Sequence, residues 1–224
     1  MDEKKLKDVL IEKFCEKEDY YNIKRGFGNP IDMGDRVMFT DAKQGVIVYK
    51  YAIPMDGVKT ELNFNPCKDN HIFNLKLDDI DRFIKELPVK PIYVEVEEVC
   101  PECNGSCEVE FEYHSYNKTE DGEDDFVLNA ECPICEGEGK IYRKKESGET
   151  ELDEKSIVSF KGYDSNLQAI AIVKLKEVMD VFNVKEVEVV SIEDYFVARL
   201  LDGVYYVSMI FTQHKKKKVI TFEI

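Results

Sequence analysis

The chain has 224 residues, a formal charge of −15, 43% apolar residues and 34% charged ones. That length holds one large domain or two small ones around a normal core, and no stretch approaches the roughly 18 apolar residues of a membrane span. With no apolar leader after Met1-Asp-Glu-Lys-Lys5, a soluble cytoplasmic protein is expected, and the acidity excludes indiscriminate attraction to nucleic acid while leaving room for a local basic surface.

In chain order, Leu6, Val9, Leu10 and Phe14 recur at helical spacing and predict an amphipathic helix over residues 3–17, with Cys15 on its apolar side. Gly26-Phe-Gly28-Asn-Pro30 reads as a turn, too short to cradle a phosphate. β-Branched and aromatic content predicts strands over Arg36–Thr40, Gly45–Ile53 and His71–Leu75, with Cys67 in a loop before the last of them. Leu77, Ile80, Phe83, Ile84 and Leu87 give a second helix; Asp78 and Asp79 suit its positive N-terminal end and Pro88 closes it. Ile92–Val99 is a strand that runs directly into Cys100.

Two strings then repeat one pattern: Cys100-Pro-Glu-Cys103-Asn-Gly-Ser-Cys107 and Cys132-Pro-Ile-Cys135-Glu-Gly-Glu-Gly139. A C-x-x-C turn points two sulfurs at one metal, so Cys100, Cys103, Cys132 and Cys135 complete the tetrahedral shell of one structural zinc and leave no open position for catalysis. The Pro after each first Cys fixes φ, and Gly105 and Gly137 supply the positive φ that the knuckle's exit needs. Disulfides or isolated buried thiols are the competing readings. Cys107 is a plain hairpin residue, a spare ligand or a reactive neighbour of the metal. Between the pairs, Glu120-Asp-Gly-Glu-Asp-Asp125 has the composition of a hairpin tip. Val109, Phe111, Tyr113, Phe126, Val127 and Leu128 around it either pair across two strands or offer an apolar binding surface. Gly139–Arg143 leads out as a strand, so the expected organisation is a body, 1–99 and 144–224, with a zinc arm inserted at 100–143.

The cysteine strings resemble the C-x-x-C-x-G-x-G repeat of the cysteine-rich domain in DnaJ-type chaperones, where four repeats hold two zincs. Two repeats imply one zinc here, and Cys107 stands where that repeat has its last Gly. The resemblance covers residues 100–139 only, because none of His71, His114 and His214 is followed by the Pro of a J-domain's His-Pro-Asp.

Beyond the arm, Ser156–Phe160, Val187–Ile192, Tyr205–Phe211 and Val219–Phe222 read as strands, and Leu175, Val178, Met179 and Phe182 as a third helix. Lys215–Lys218 is a solvated turn or a contact for an anionic partner. The fold class expected is α+β, a body of helices and antiparallel sheet. Three strings resemble pieces of the bacterial sliding clamp, the DNA polymerase III beta subunit. They are Val37-Met-Phe-Thr40-Asp41-Ala42 through Val46, with Ala42 where the clamp has Gly; Phe73 through Leu87; and Lys174 through Phe182 with Asp202 through Met209. The resemblance implies a clamp-like body, a homo-oligomer, and double-stranded DNA or a replication protein as partner. It also implies Lys4, Lys5, Lys13, Arg82, Lys85, Lys174 and Lys176 as the cations that would meet phosphates. No nucleophile–base pair, phosphate loop or open metal motif is present, so a non-enzymatic protein is expected. Two functions stay open: a clamp-like nucleic-acid factor, and a protein-binding adaptor or chaperone-like module that presents the zinc hairpin to unfolded or partner protein.

Overall fold

Leu6, Leu10 and Phe14 are buried along one side of helix α1 (Glu3–Phe14), as their spacing requires. The computed structural model describes residues 3–15, 27–59, 71–114, 125–163, 166–192, 195–210 and 219–224. The predicted last turn of α1, Cys67, the acidic run up to Asp124 and Lys215–Lys218 lie outside these. The fold is mostly antiparallel sheet with three helices among the described residues, and it divides into two compact units: a body, Met1–Pro88 with Leu152–Ile224, and an arm, Val89–Glu151.

The body's larger sheet contains eight strands: β1 (Ile31–Asp32), β2 (Arg36–Thr40), β3 (Gln44–Tyr49), β4 (Val58–Lys59), β5 (Phe73–Lys76), β12 (Glu186–Ile192), β13 (Tyr195–Leu201) and β14 (Val204–Met209). Their spatial order is β4-β1-β2-β3-β14-β13-β12-β5, antiparallel throughout except where β4 pairs with β1. A smaller sheet, β11 (Leu167–Gln168), β10 (Ile157–Phe160) and β15 (Val219–Phe222), runs in that order, with β15 parallel to β10. The remaining helices are α2 (Leu77–Glu86), which follows β5 without a loop, and α3 (Ala169–Phe182). In α2, Asp78 and Asp79 stand in for the side-chain cap that Lys76 does not provide. Helix α3 ends at Asn183 in the left-handed conformation, whose N–H and that of Val184 close the last turn.

The turn from β2 to β3 is fixed locally. Thr40 Oγ1 accepts the Ala42 N–H and donates to the Gln44 carbonyl, and Asp41 Oδ1 accepts the N–H groups of Lys43 and Gln44. Ala42 takes φ 73 there, a conformation that suits Gly better than Ala.

Alternate residues on the central strands feed two apolar clusters. Val46, Val48, Phe196, Ala198, Val204 and Tyr206 join the main core with the three helices, whereas Ile47, Tyr49, Val197, Tyr205 and Val207 form a second cluster on the opposite face. Both faces of β3 are therefore buried. Tyr206 reaches through the main core, its hydroxyl 2.9 Å from both the Ala171 carbonyl and Gln44 Oε1, which ties β14 to α3 and β3. Phe83 of α2 stacks on Phe222 at 4.2 Å and lies 6.2 Å from Phe160, joining helix to small sheet. No described helix is long and apolar enough to cross a membrane.

The arm contains β6 (Val89–Val99), β7 (Glu108–His114), β8 (Asp125–Glu131) and β9 (Lys140–Leu152), paired as two separate ribbons, β6 with β9 and β7 with β8. Its boundaries fall eleven residues before and eight after the 100–143 segment read from sequence. The reason is that β6 and β9 pair with each other and with no strand of the body among the described residues. Cross-strand ion pairs hold this ribbon: Lys140 with Glu97 at 2.6 Å, Lys90 with Glu151 at 3.0 Å, and both Arg143 and Lys145 with Glu98. The Lys145 ammonium holds the Glu98 carboxyl below the usual carboxylate range.

Candidate metal centre

Two knuckles, residues 100–107 and 132–139, join β6 to β7 and β8 to β9. They follow the same backbone route. Asn104 and Glu136 take φ 50 and 51, Gly105 and Gly137 take 86 and 81, and Cys107 and Gly139 take 70 and 72. The Ser106 N–H donates to the Cys103 carbonyl and the Glu138 N–H to the Cys135 carbonyl, both at 2.9 Å. The knuckles then lock reciprocally: the Cys100 N–H donates to Gly139 O and the Cys132 N–H to Cys107 O, again at 2.9 Å each. A repeat in sequence thus becomes a local two-fold in the backbone, and it turns four sulfurs inward.

Cys100 and Cys132 are 0% exposed and Cys103 and Cys135 6%, and all four Sγ atoms lie within 4.8 Å of one another. None of the four is in a disulfide, whose sulfurs would sit about 2 Å apart. The Cys100–Cys132 and Cys103–Cys135 sulfurs are each 3.7 Å apart. Four thiolates at about 2.3 Å around a tetrahedral zinc have edges of about 3.8 Å, which these two separations match. The geometry establishes a site that can hold a metal ion, and it brings together all four cysteines read from the sequence.

Backbone N–H groups favour thiolate here. Burial pushes the Cys103 thiol up, but the amides of Gly105 and Cys107 and the neighbouring thiols of Cys135 and Cys100 bring it down to about 7. Burial and the sulfurs of Cys103, Cys132 and Cys100 push Cys135 up to about 11, against the Gly139 N–H, which lies 3.2 Å from its sulfur. Clustered thiols cannot all ionise without a cation between them.

Cys107 stands outside the group of four. It occupies in the first knuckle the place of Gly139 in the second, and its thiol points to the Gly105 carbonyl at 3.7 Å. Gly139 itself is a packing requirement that sequence reading missed: a Cβ there would lie 2.9 Å from Gly105 O and 3.0 Å from Cys107 Sγ. Gly137 has nothing closer than 3.7 Å. Gly139→Ala is therefore expected to weaken zinc retention against a chelator by about tenfold or more, and Gly137→Ala, which carries only the positive-φ cost, by less. Equal losses in a competition titration would remove the packing argument.

The seven helix cations do not assemble an open basic face. Lys13 and Lys174 converge on Glu177 at 3.2 and 3.0 Å, and Lys174 also lies 5.8 Å from the Phe14 ring. Lys176 pairs with Asp180 and Asp81, and Arg82 with Asp79 and the Glu223 carbonyl. Lys4 and Lys5 are exposed on α1, and Lys85 borders a shallow depression with Asp78, Asp81 and Glu86. A polar depression of about 560 Å³ is lined by His71, Asn74, Glu186, Glu188 and Arg199, where His71 bonds to Asn74, Asn74 to Glu186 and Arg199 to Glu188.

No protein-family model and no curated protein sequence matches this chain. Solved structures similar to it are bacterial clamps: the DNA polymerase sliding clamp from Bacillus subtilis (10% identity, TM-score 0.43), DNA polymerase III subunit beta from Pseudomonas aeruginosa (10%, 0.41) and pol III beta from Caulobacter crescentus (12%, 0.39). The likeness covers 94–95% of this chain and 64–65% of each clamp, so the chain spans a little under two thirds of their length.

Proposed function

We propose that this is a non-enzymatic zinc protein in which Cys100, Cys103, Cys132 and Cys135 hold one structural Zn²⁺ and the arm so ordered is a protein-docking element. The observation that carries the metal reading is the sulfur cluster, four buried Sγ atoms within 4.8 Å of one another with donors from two locked knuckles. Four thiolates close the coordination shell, so the ion supplies folding energy and no Lewis-acid position.

Electrostatics select protein over nucleic acid as the arm's partner. Residues 89–151 contain 18 Asp and Glu against 6 Lys and Arg, which is −12 of the chain's −15. A phosphate backbone is repelled by such a surface. The β7–β8 ribbon sets Val109 opposite Ala130 and Phe111 opposite Leu128 on one face, and Glu108, Glu110, Glu112 and Glu131 on the other. Phe111 and Leu128 remain 50% and 60% exposed. Elemental analysis is expected to give one zinc per chain, with no retention of duplex DNA at about 50 mM salt. Duplex binding that salt reverses would return the clamp-like reading, and absence of zinc would end the structural-metal one.

A further inference from the structure

Strands β6 and β9 are 11 and 13 residues long, yet among the described residues no third strand lies beside either. Two strands alone are marginal in water, and an unpaired edge presents a row of N–H and C=O groups that template another strand. The two edges differ. β6 contains Pro91, which has no N–H, and Glu95, Glu97 and Glu98, so two β6 edges repel.

β9 is divided by charge: Lys140, Arg143, Lys144 and Lys145 fill its first half, and Glu146, Glu149 and Glu151 its second. Identical strands that pair antiparallel read each other in reverse, so a two-fold at Ser147 sets Arg143 opposite Glu151 of a second copy and Lys145 opposite its Glu149. Symmetry repeats both pairs. The side chains are open to such a neighbour, Arg143 at 58%, Lys145 at 57% and Glu151 at 53%. Gly148 takes φ 84 beside that axis, with open space around it.

We propose that the open edge of β9 is a self-association surface. Two copies of this chain pair β9 to β9 about a two-fold near Ser147 and make a four-stranded sheet ordered β6-β9-β9-β6, with the acidic, Pro-bearing strands outermost. The inference takes from the proposed function only the ordered arm. The two acidic arms repel at long range, but at about 0.15 M salt that repulsion is screened beyond roughly 8 Å while contact pairs survive, so association strengthens from low to moderate salt before it weakens.

The experiment is sedimentation velocity on the full zinc-loaded chain at about 0.15 M salt and up to about 100 μM protein. A dimer is expected. Arg143→Glu with Lys145→Glu, and separately Glu149→Lys with Glu151→Lys, should each raise its Kd about tenfold or more, because four attractive pairs become repulsive. An equimolar mixture of the two variants should dimerise again, since every opposed position then carries opposite charges. Zinc content in the same samples reads the metal centre separately, so loss of self-association leaves that reading untouched. A wild-type chain that stays monomeric, a dimer indifferent to both variants, or a mixture no tighter than its components overturns the proposal.

Discussion

Cys132→Ser is expected to empty the metal centre and unfold the arm while the body stays folded. Cys132 is fully buried, and its sulfur is one corner of the four-sulfur cluster. A serine hydroxyl does not ionise near neutral pH, so three thiolates remain and the shell opens. Structural zinc sites of this kind contribute roughly 10–16 kcal/mol of apparent binding energy, and here there is little else to hold the knuckles. Among the described residues the cluster around them is the four cysteines, with partly buried Val109 and Ile141 packed against it. Among the described residues neither ribbon has a third strand to compensate. Zinc should fall from one per chain to below about a tenth on dialysis against a chelator, and limited proteolysis should cut within 89–151. The body's stability should change by less than about 1 kcal/mol, because among the described residues its apolar core cluster contains none from the arm. Digestion of the whole chain as one unit would show instead that body and arm fold together.

Phe83→Ala is expected to do the converse. The ring is 1% exposed, stacked on Phe222 at an interplanar angle of 16° and tilted against Phe160. Truncating a buried Phe costs about 3–5 kcal/mol in transfer and cavity terms. For a body of this size that lowers the melting temperature by roughly 10 °C. Helix α2 and the small sheet are the elements that the ring joins, so exchange protection should be lost first in α2, β10 and β15. Zinc content should remain at one per chain. If the metal were lost as well, the division of the chain into two units would not describe its energetics.

Helices α1 and α2 were legible because each has one buried stripe, and a stripe is a periodicity. Helix α3 was legible only from Lys174 on. Its start, Ala169-Ile-Ala-Ile-Val173, is apolar at consecutive positions and gives no helical period, since Ala169, Ala171 and Ile172 are all buried. Strand β3 gives no alternation because both of its faces carry apolar clusters, so its β-branched content alone marked it; β13, also buried on both faces, was not among the predicted strands. β9 was predicted only over Gly139–Arg143, because its exposed residues beyond that leave no apolar period. Only its pairing with β6, through Glu97, Glu98 and Lys90, shows it to be a strand.

By itself the sequence determined which sulfurs meet: two C-x-x-C turns with Pro and Gly at matching places have a single local solution, and backbone sterics enforce it at short range. Tertiary structure alone decided what depends on distant residues coming together. It showed that Gly139 must be Gly because another knuckle's carbonyl fills the space of a Cβ, and that Lys13, Arg82, Lys174 and Lys176 are turned to neighbouring carboxylates. It also marked off, as one paired-strand unit, the arm that carries most of the chain's net negative charge and whose β9 has one partner strand among the described residues. Packing and pairing are properties of pairs of segments, and a pattern read along one segment does not contain them.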